Sequence, residues 1–174
     1  EDISSNTLVI FLSDNGAWVQ PNAGLTPRPT KGISPFDGGS NAPFRGGKGS
    51  TWEGGMRVPL IVRAPHFRTT PQPDFVRALS WAMDLFPTVL DFAGIAIPRG
   101  LKLDGSSLRR LIAAETSENE GREPLHECIY YWREKSLYAI RCGALKAHFV
   151  TRAGFNSSDG GTTHEPPLLF NVEW

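Results

Sequence analysis

The strongest constraint on the fold is a short apolar run at residues 7–12 that ends abruptly in the polar tetrapeptide at residues 13–16. Continuous runs rich in β-branched residues are typical of parallel strands that are covered on both faces. In open α/β sheets, ligands bind beyond the carboxyl ends of such strands. We therefore predict an α/β fold with Asp14 and Asn15 as candidate site residues, with a plain Asp-Asn-Gly turn as the alternative.

Two different patterns follow along the rest of the chain. Residues 58–62 predict a second buried strand, and residues 74–94 predict a helix that Pro87 kinks or breaks, because apolar side chains recur there every three or four positions. Farther on, turn residues separate four predicted strands at residues 128–132, 137–142, 146–151 and 168–172. This change predicts a main α/β domain over residues 1–115 and a small antiparallel-sheet subdomain over residues 116–174.

Charge and hydropathy exclude two classes of partner. The 18 basic and 18 acidic side chains cancel, so no field of the whole molecule would attract nucleic acid. No apolar run approaches the roughly 20 residues that span a bilayer, so no membrane span is predicted. The chain opens without a Met or a charged-then-apolar leader, and we expect both ends of the natural protein to lie outside this sequence.

The two cysteines and one sequon bear on the compartment. If the strands around Lys135 pair as a hairpin, Cys128 and Cys142 lie directly opposite each other. A disulfide is then allowed by geometry, but two small buried thiols on one face of the sheet are the favoured interpretation. Asn156 begins an Asn-Ser-Ser sequon in a polar loop, which predicts a glycosylation site.

A glycine-rich stretch at residues 38–59 is the densest candidate for chemistry. Glycines on both sides of Lys48 let backbone amides approach a ligand, and the ammonium supplies a compact charge for a tetrahedral oxyanion. A nucleotide-binding P-loop is excluded, because Ala42 stands where that motif needs glycine and Gly49 where it needs Ser or Thr. Asp14 and Asn15 carry hard oxygen ligands of the kind that Ca²⁺ and Mg²⁺ prefer, but two oxygens cannot fill a shell of about six to eight.

Together these segments closely resemble the sulfatase family. In that family, a strand ending in Ser-Asp-Asn-Gly precedes a loop of the type Gly-Gly-Lys-Gly-x-Thr-x-Glu-Gly-Gly-x-Arg-x-Pro, in the order and spacing seen here. Other segments resemble the branch of arylsulfatases, steryl-sulfatases and N-acetylgalactosamine-6-sulfatases, namely residues 83–88, 103–105, 146–149 and 163–170. The resemblance implies an alkaline-phosphatase-like sulfatase fold, of which this chain would be the C-terminal part.

The resemblance also implies a reaction and a set of roles. The reaction is hydrolysis of sulfate esters by a formylglycine made from Cys or Ser in a Cys/Ser-x-Pro-Ser-Arg motif, which this chain lacks, so the chain alone is predicted to be inactive. Asp14 and Asn15 would complete a Ca²⁺ site, with Mg²⁺ as an alternative, and the other ligands would lie outside the chain. Lys48 would contact the sulfate as a catalytic residue, and His164 would reach the rim of the substrate site.

Partners and location follow from the same resemblance. The substrate would be a sulfated small molecule or glycan, and the resemblance is compatible with an oligomer. The protein would be lysosomal or secreted, or periplasmic if bacterial. Two alternatives are a phosphatase or phosphodiesterase of the same superfamily and a non-catalytic relative that binds sulfate or carbohydrate.

The remaining polar and aromatic candidates are assigned structural roles. Glu53 and Arg57 are interpreted as a pair that braces the glycine-rich loop, with a direct catalytic role as the alternative. The other three histidines are expected in a sheet (His148) or in loop or surface positions (His66 and His126). The tryptophans considered are expected to line the core or a cleft, and they are Trp52, Trp81 and Trp132.

Overall fold

The structure, a computed structural model, describes residues 3–18, 39–65, 76–113, 124–152 and 160–173. The chain forms two compact units, Glu1–Leu12 with Leu60–Glu127 and Ser13–Pro59 with Cys128–Trp174. In chain order, the α-helices of the described residues are α1 (Glu53–Met56) in the second unit, and α2 (Leu85–Phe92) and α3 (Arg109–Ile112) in the first. The predicted domain division after residue 115 stays a prediction. Within the described residues, no helix is long and apolar enough to cross a membrane.

The first unit contains a two-stranded antiparallel sheet of β1 (Val9–Leu12) and β2 (Leu60–Arg63). The expectation of a parallel strand covered on both faces is therefore wrong among the described residues. Phe11 and Ile61 are 61% and 62% exposed. An apolar run indicates that side chains favour burial, but the direction of pairing depends on the neighbouring strand, which the run itself does not encode.

The helix of the first unit is shorter than predicted. A 3-10 turn at Ala82–Asp84 leads into α2 (Leu85–Phe92), so the predicted start at residue 74 is wrong. Pro87 lies in the first turn of α2, where a backbone N–H has no partner within the helix, and it therefore causes no break. The predicted stop at Gly94 is confirmed, because this residue has φ of 67° and the helix closes with C-terminal capping bonds.

A buried carboxylate organises this unit. Asp84 is fully buried and accepts hydrogen bonds from the backbone N–H groups of Trp81 at 2.9 Å and Ser106 at 2.8 Å. His126 Nε2 lies 2.8 Å from the same carboxylate. His126 is in a loop, as predicted, and its side chain is 11% exposed. A short helix, α3 (Arg109–Ile112), completes the unit.

The second unit is built on a four-stranded antiparallel sheet in the order β3-β4-β5-β6. The strands are β3 (Cys128–Arg133), β4 (Ser136–Cys142), β5 (Leu145–Thr151) and β6 (Thr162–Asn171). This confirms the predicted antiparallel sheet, although β6 begins six residues earlier than the predicted strand at residue 168. Tight turns join the first three strands, with positive φ at Glu134 and Gly143.

The sheet also decides between the two alternatives for the cysteines. Cys128 lies directly opposite Cys142 in the pairing of β3 with β4, and the two form a disulfide with a Cα–Cα distance of 4.1 Å. The favoured interpretation of two buried thiols is wrong. Trp132, in the same strand, is 61% exposed, so a core position is wrong for this residue, and its place at a cleft stays a prediction.

Candidate functional site

The tetrapeptide after β1 forms an internally bonded turn. Ser13 Oγ donates to the backbone oxygen of Asn15 at 2.8 Å, and Asn15 Nδ2 donates to Asp14 Oδ1 at 2.6 Å. Asp14 is exposed and Asn15 is half-buried. The side-chain oxygen of Asn15 is the atom that can bind a metal, because hard cations take oxygen ligands. The hydrogen bond from Asn15 Nδ2 holds this side chain against the Asp14 carboxylate.

Hydrogen bonds connect this turn to the glycine-rich loop. The Asn41 side chain accepts from Ala17 N at 2.7 Å and donates to Ala17 O at 2.9 Å and Gly46 O at 3.1 Å. Lys48 N also donates to Ala17 O at 3.1 Å. Ala17 follows Asn15 by two residues, so the structure brings the backbone of Lys48 next to the Asp14–Asn15 turn.

Glycines allow the close approach on which this junction depends. Gly16 N donates to Gly55 O at 3.0 Å, and a Cβ at Gly16 would overlap the backbone oxygen of Gly54. A Cβ at Gly54 would in turn overlap the backbone oxygen of Gly46. Side chains at these positions would therefore push apart the turn, the loop and the first turn of the helix α1 (Glu53–Met56).

A buried charge cluster joins α1 to the sheet. Lys146 Nζ lies 2.8 Å from Glu53 Oε1, Arg141 Nη1 lies 3.0 Å from Glu53 Oε2, and Arg57 lies farther away at 3.9 Å. The predicted brace is thus present, but the closest partners of Glu53 are on β4 and β5. Burial lowers the pKa of Lys146, against the opposing effect of Glu53. Burial, followed by the Glu53 charge, raises the pKa of Tyr131 to about 12.

His148 supports the same loop from β5, which confirms its predicted place in a sheet. Its Nδ1 lies 3.3 Å from Thr51 Oγ1, and its ring centroid lies 4.3 Å from that of Trp52. Burial, and then the charge of Lys146, lowers the pKa of His148 to about 4, so its ring is neutral near pH 7. Trp52 is buried, as predicted, and Arg45 lies 3.9 Å from the centroid of its ring.

Arg141 and Lys146 had no role assigned from the sequence. Strand alternation offered a partial signal, because Lys146 and His148 are two residues apart and therefore on one face of β5. The pairing register then places Arg141 directly opposite Lys146. Glu53 is 88 residues from Arg141 and 93 residues from Lys146 along the chain, and no local sequence pattern encodes a contact over such separations.

Among the described residues, no contact joins the remaining predicted site residues to the junction between the Asp14–Asn15 turn and the glycine-rich loop. His164 is half-buried on β6, with Nε2 2.8 Å from Thr151 Oγ1, and its role at the substrate rim stays a prediction. Asn156 and His66 lie outside the described residues. Among the residues that the structure describes, no three His, Cys, Asp or Glu side chains cluster as a metal site. The oxygens of Asp14 and Asn15 fit the chemistry of Ca²⁺, but they are two ligands of the six to eight or so that it takes.

Two protein families match the chain. The family described as Sulfatase matches residues 1–95, and the family described as the C-terminal region of aryl-sulfatase matches residues 124–174. The N-acetylgalactosamine-6-sulfatase of Canis lupus familiaris is 38% identical over 195 residues, covering 98% of this chain and 32% of the relative. The steryl-sulfatase of Mus musculus is 35% identical over 189 residues, covering 98% of this chain and 28% of the relative.

Similarity to solved structures agrees with the sequence matches. The crystal structure of the PsFucS1 sulfatase from Pseudoalteromonas sp. aligns with 97% of this chain at a TM-score of 0.67 and 27% identity. The chain covers 31% of that structure. It therefore spans less than a third of the length of each of these three relatives.

Proposed function

Because this chain belongs to the sulfatase family, we propose that it forms part of an enzyme of the arylsulfatase type that hydrolyses sulfate esters. The observation that best supports this proposal is the hydrogen-bonded junction between the Asp14–Asn15 turn and the loop that contains Lys48. An oxygen-rich turn beside a lysine among glycines suits a substrate with a tetrahedral, negatively charged group.

Each residue of the junction has a proposed role. The Lys48 ammonium contacts the sulfate and stabilises the charge that develops as the ester bond breaks. Asp14 and Asn15 supply two oxygens to a Ca²⁺ site, or Mg²⁺ as the alternative, and the remaining ligands come from outside this chain. When bound, the metal would neutralise charge on the sulfate. The nucleophile, a formylglycine, would also come from outside this chain.

The proposed substrate is a sulfated small molecule or glycan. The names of the relatives include both a steroid and a sugar sulfatase, so the shared chemistry is the sulfate ester itself. His164 is proposed to contact the substrate at the rim of the site. Its position beside Thr151 on the sheet would fix the direction of its ring.

A location in the secretory pathway, lysosomal or extracellular, is part of the proposal, with the periplasm as the bacterial equivalent. The Cys128–Cys142 disulfide supports it, because disulfides persist mainly in oxidising compartments. Glycosylation at Asn156 would agree with the same location.

Hydrolysis assays on the full-length protein test this function. Wild-type protein is given an aryl sulfate and the matching aryl phosphate, with and without Ca²⁺ after chelation. The proposal expects sulfate hydrolysis that chelation abolishes and added Ca²⁺ restores. Faster hydrolysis of the phosphate would favour the phosphatase alternative, and binding of the sulfate ester without turnover would favour the non-catalytic alternative.

A matched pair of variants assigns the metal ligand. Asp14→Ala should raise the Ca²⁺ concentration needed for half-maximal activity, because it removes one carboxylate from the proposed site. Asp104→Ala, an exposed aspartate in another turn, is the control and should leave that concentration unchanged. An Asp14→Ala enzyme with the wild-type Ca²⁺ requirement would exclude Asp14 as a ligand.

A further inference from the structure

Two cations lie directly opposite each other on the sheet of the second unit. Arg141 on β4 pairs in register with Lys146 on β5. Arg141 is 9% exposed and Lys146 is fully buried. Like charges that face each other across two strands destabilise a sheet, and burial adds a large desolvation cost for each of them. This arrangement requires an anion.

The anion comes from the glycine-rich loop and not from the sheet. Glu53 divides its two carboxylate oxygens between the cations, with Oε1 facing Lys146 and Oε2 facing Arg141. Charge-assisted hydrogen bonds to both oxygens fix the position and the rotation of the carboxylate. Arg141 is further held by a 3.1 Å bond from its Nε to Gly143 O.

The backbone directly after Glu53 contacts both parts of the candidate site. Gly54 N donates to Arg45 O at 2.8 Å, within the loop that continues to Lys48. Gly55 O accepts from Gly16 N at 3.0 Å, and Gly16 follows Asn15. A displacement of Glu53 would therefore move the two glycines on which the loop and the Asp14–Asn15 turn both rest.

From this arrangement we propose that Glu53 is a positioning residue for sulfate ester hydrolysis, which sets the place of Lys48 by anchoring the start of α1 to Arg141 and Lys146. The inference rests on the proposed function and assigns Glu53 no contact with substrate. In this proposal, the C-terminal sheet holds the glycine-rich loop in place through the Glu53 carboxylate.

Steady-state kinetics of the full-length protein on an aryl sulfate test the inference. Glu53→Gln keeps the shape of the side chain but removes its charge, and it should lower kcat/KM by about 10- to 100-fold, mostly through kcat, because small displacements of a catalytic group have effects of this size. Glu53→Asp keeps the charge but is one methylene shorter, and its kcat/KM should be intermediate. The control is Glu173→Gln, which removes an exposed carboxylate 3.6 Å from Arg141 and should stay within about twofold of wild type.

A double-mutant cycle separates positioning from a general loss of folded protein. If Glu53 acts through Lys48, then Glu53→Gln should change kcat/KM by less than about threefold in a Lys48→Ala background. A loss of folded protein would lower activity by the same factor in both backgrounds. Equal factors, or full activity of Glu53→Gln alone, would overturn the inference while the proposed function stands.

If Glu53→Gln does not fold, the same cycle is run with Glu53→Asp, and the same criterion of unequal factors applies. If the wild-type protein hydrolyses no sulfate ester, the proposed function fails and the inference fails with it.

Discussion

Replacing Lys146 with methionine tests the buried charge cluster most sharply. Methionine keeps much of the length of the lysine side chain but removes the ammonium group 2.8 Å from Glu53. Breaking a buried ion pair by removing one partner costs about 3 to 5 kcal/mol. We expect the lower end, about 3 kcal/mol, because Glu53 keeps Arg141 at 3.0 Å and the repulsion between the two cations disappears.

Hydrogen exchange measured by mass spectrometry on the full-length protein reports this loss locally. A loss of about 3 kcal/mol corresponds to roughly 100-fold faster exchange of amides that exchange through opening of the cluster. The effect should appear in peptides covering residues 53–59 and 145–151. Lys135→Met, in the exposed turn between β3 and β4, is the control and should leave both peptides unchanged. Unchanged protection in Lys146→Met would refute the structural role of the cluster.

Three other predictions address the histidine, the glycine junction and the disulfide. The pKa of His148 is about 4 in the folded protein against 6.5 for the ordinary side chain, so on acidification the unfolded state binds the proton first. The free energy of unfolding should therefore fall by on the order of 3 kcal/mol as the pH decreases from 6.5 to 4. His148→Phe should remove this part of the pH dependence when unfolding is measured across that range. Gly16→Ala should lower the free energy of unfolding by about 1 to 3 kcal/mol and lower sulfatase activity, because the new Cβ would overlap the backbone oxygen of Gly54. Gly160→Ala, where a Cβ has open space, should leave thermal unfolding nearly unchanged. Replacing Cys128 and Cys142 with serine should cost about 3 kcal/mol for a closed loop of 14-residue separation, and a wild-type unfolding midpoint that is unaffected by reductant would contradict the pairing.

Local patterns predicted the C-terminal sheet well. Alternation with a period of two and turn residues at regular spacing encode short antiparallel strands directly, and the hairpin around Lys135 follows from them. The same register placed Cys128 opposite Cys142, as the structure has it. The family and the sulfatase fold class were also predicted correctly, because long motifs in fixed order are specific.

Features that depend on distant partners were not predictable in this way. Whether β1 pairs in parallel or antiparallel depends on the strand beside it, and the sequence of residues 7–12 does not encode that neighbour. The helix start was placed too early because apolar spacing continues upstream of Ala82, where the chain forms no helix among the described residues. Glu53 was correctly interpreted as a brace, but its partners Arg141 and Lys146 belong to strands far along the chain. The local signal pointed to the nearer Arg57, four residues away, which lies 3.9 Å from the carboxylate.

Hydrolysis of an aryl sulfate by the Lys48→Ala variant of the full-length protein tests the proposed site most directly. Loss of one preorganised contact to the developing charge lowers kcat by about 100- to 1000-fold, and we predict a loss in this range. Lys135→Ala, which removes an exposed lysine from a turn, should retain wild-type kcat. Wild-type kcat in Lys48→Ala would contradict the assignment of this loop as the sulfate-binding part of the site.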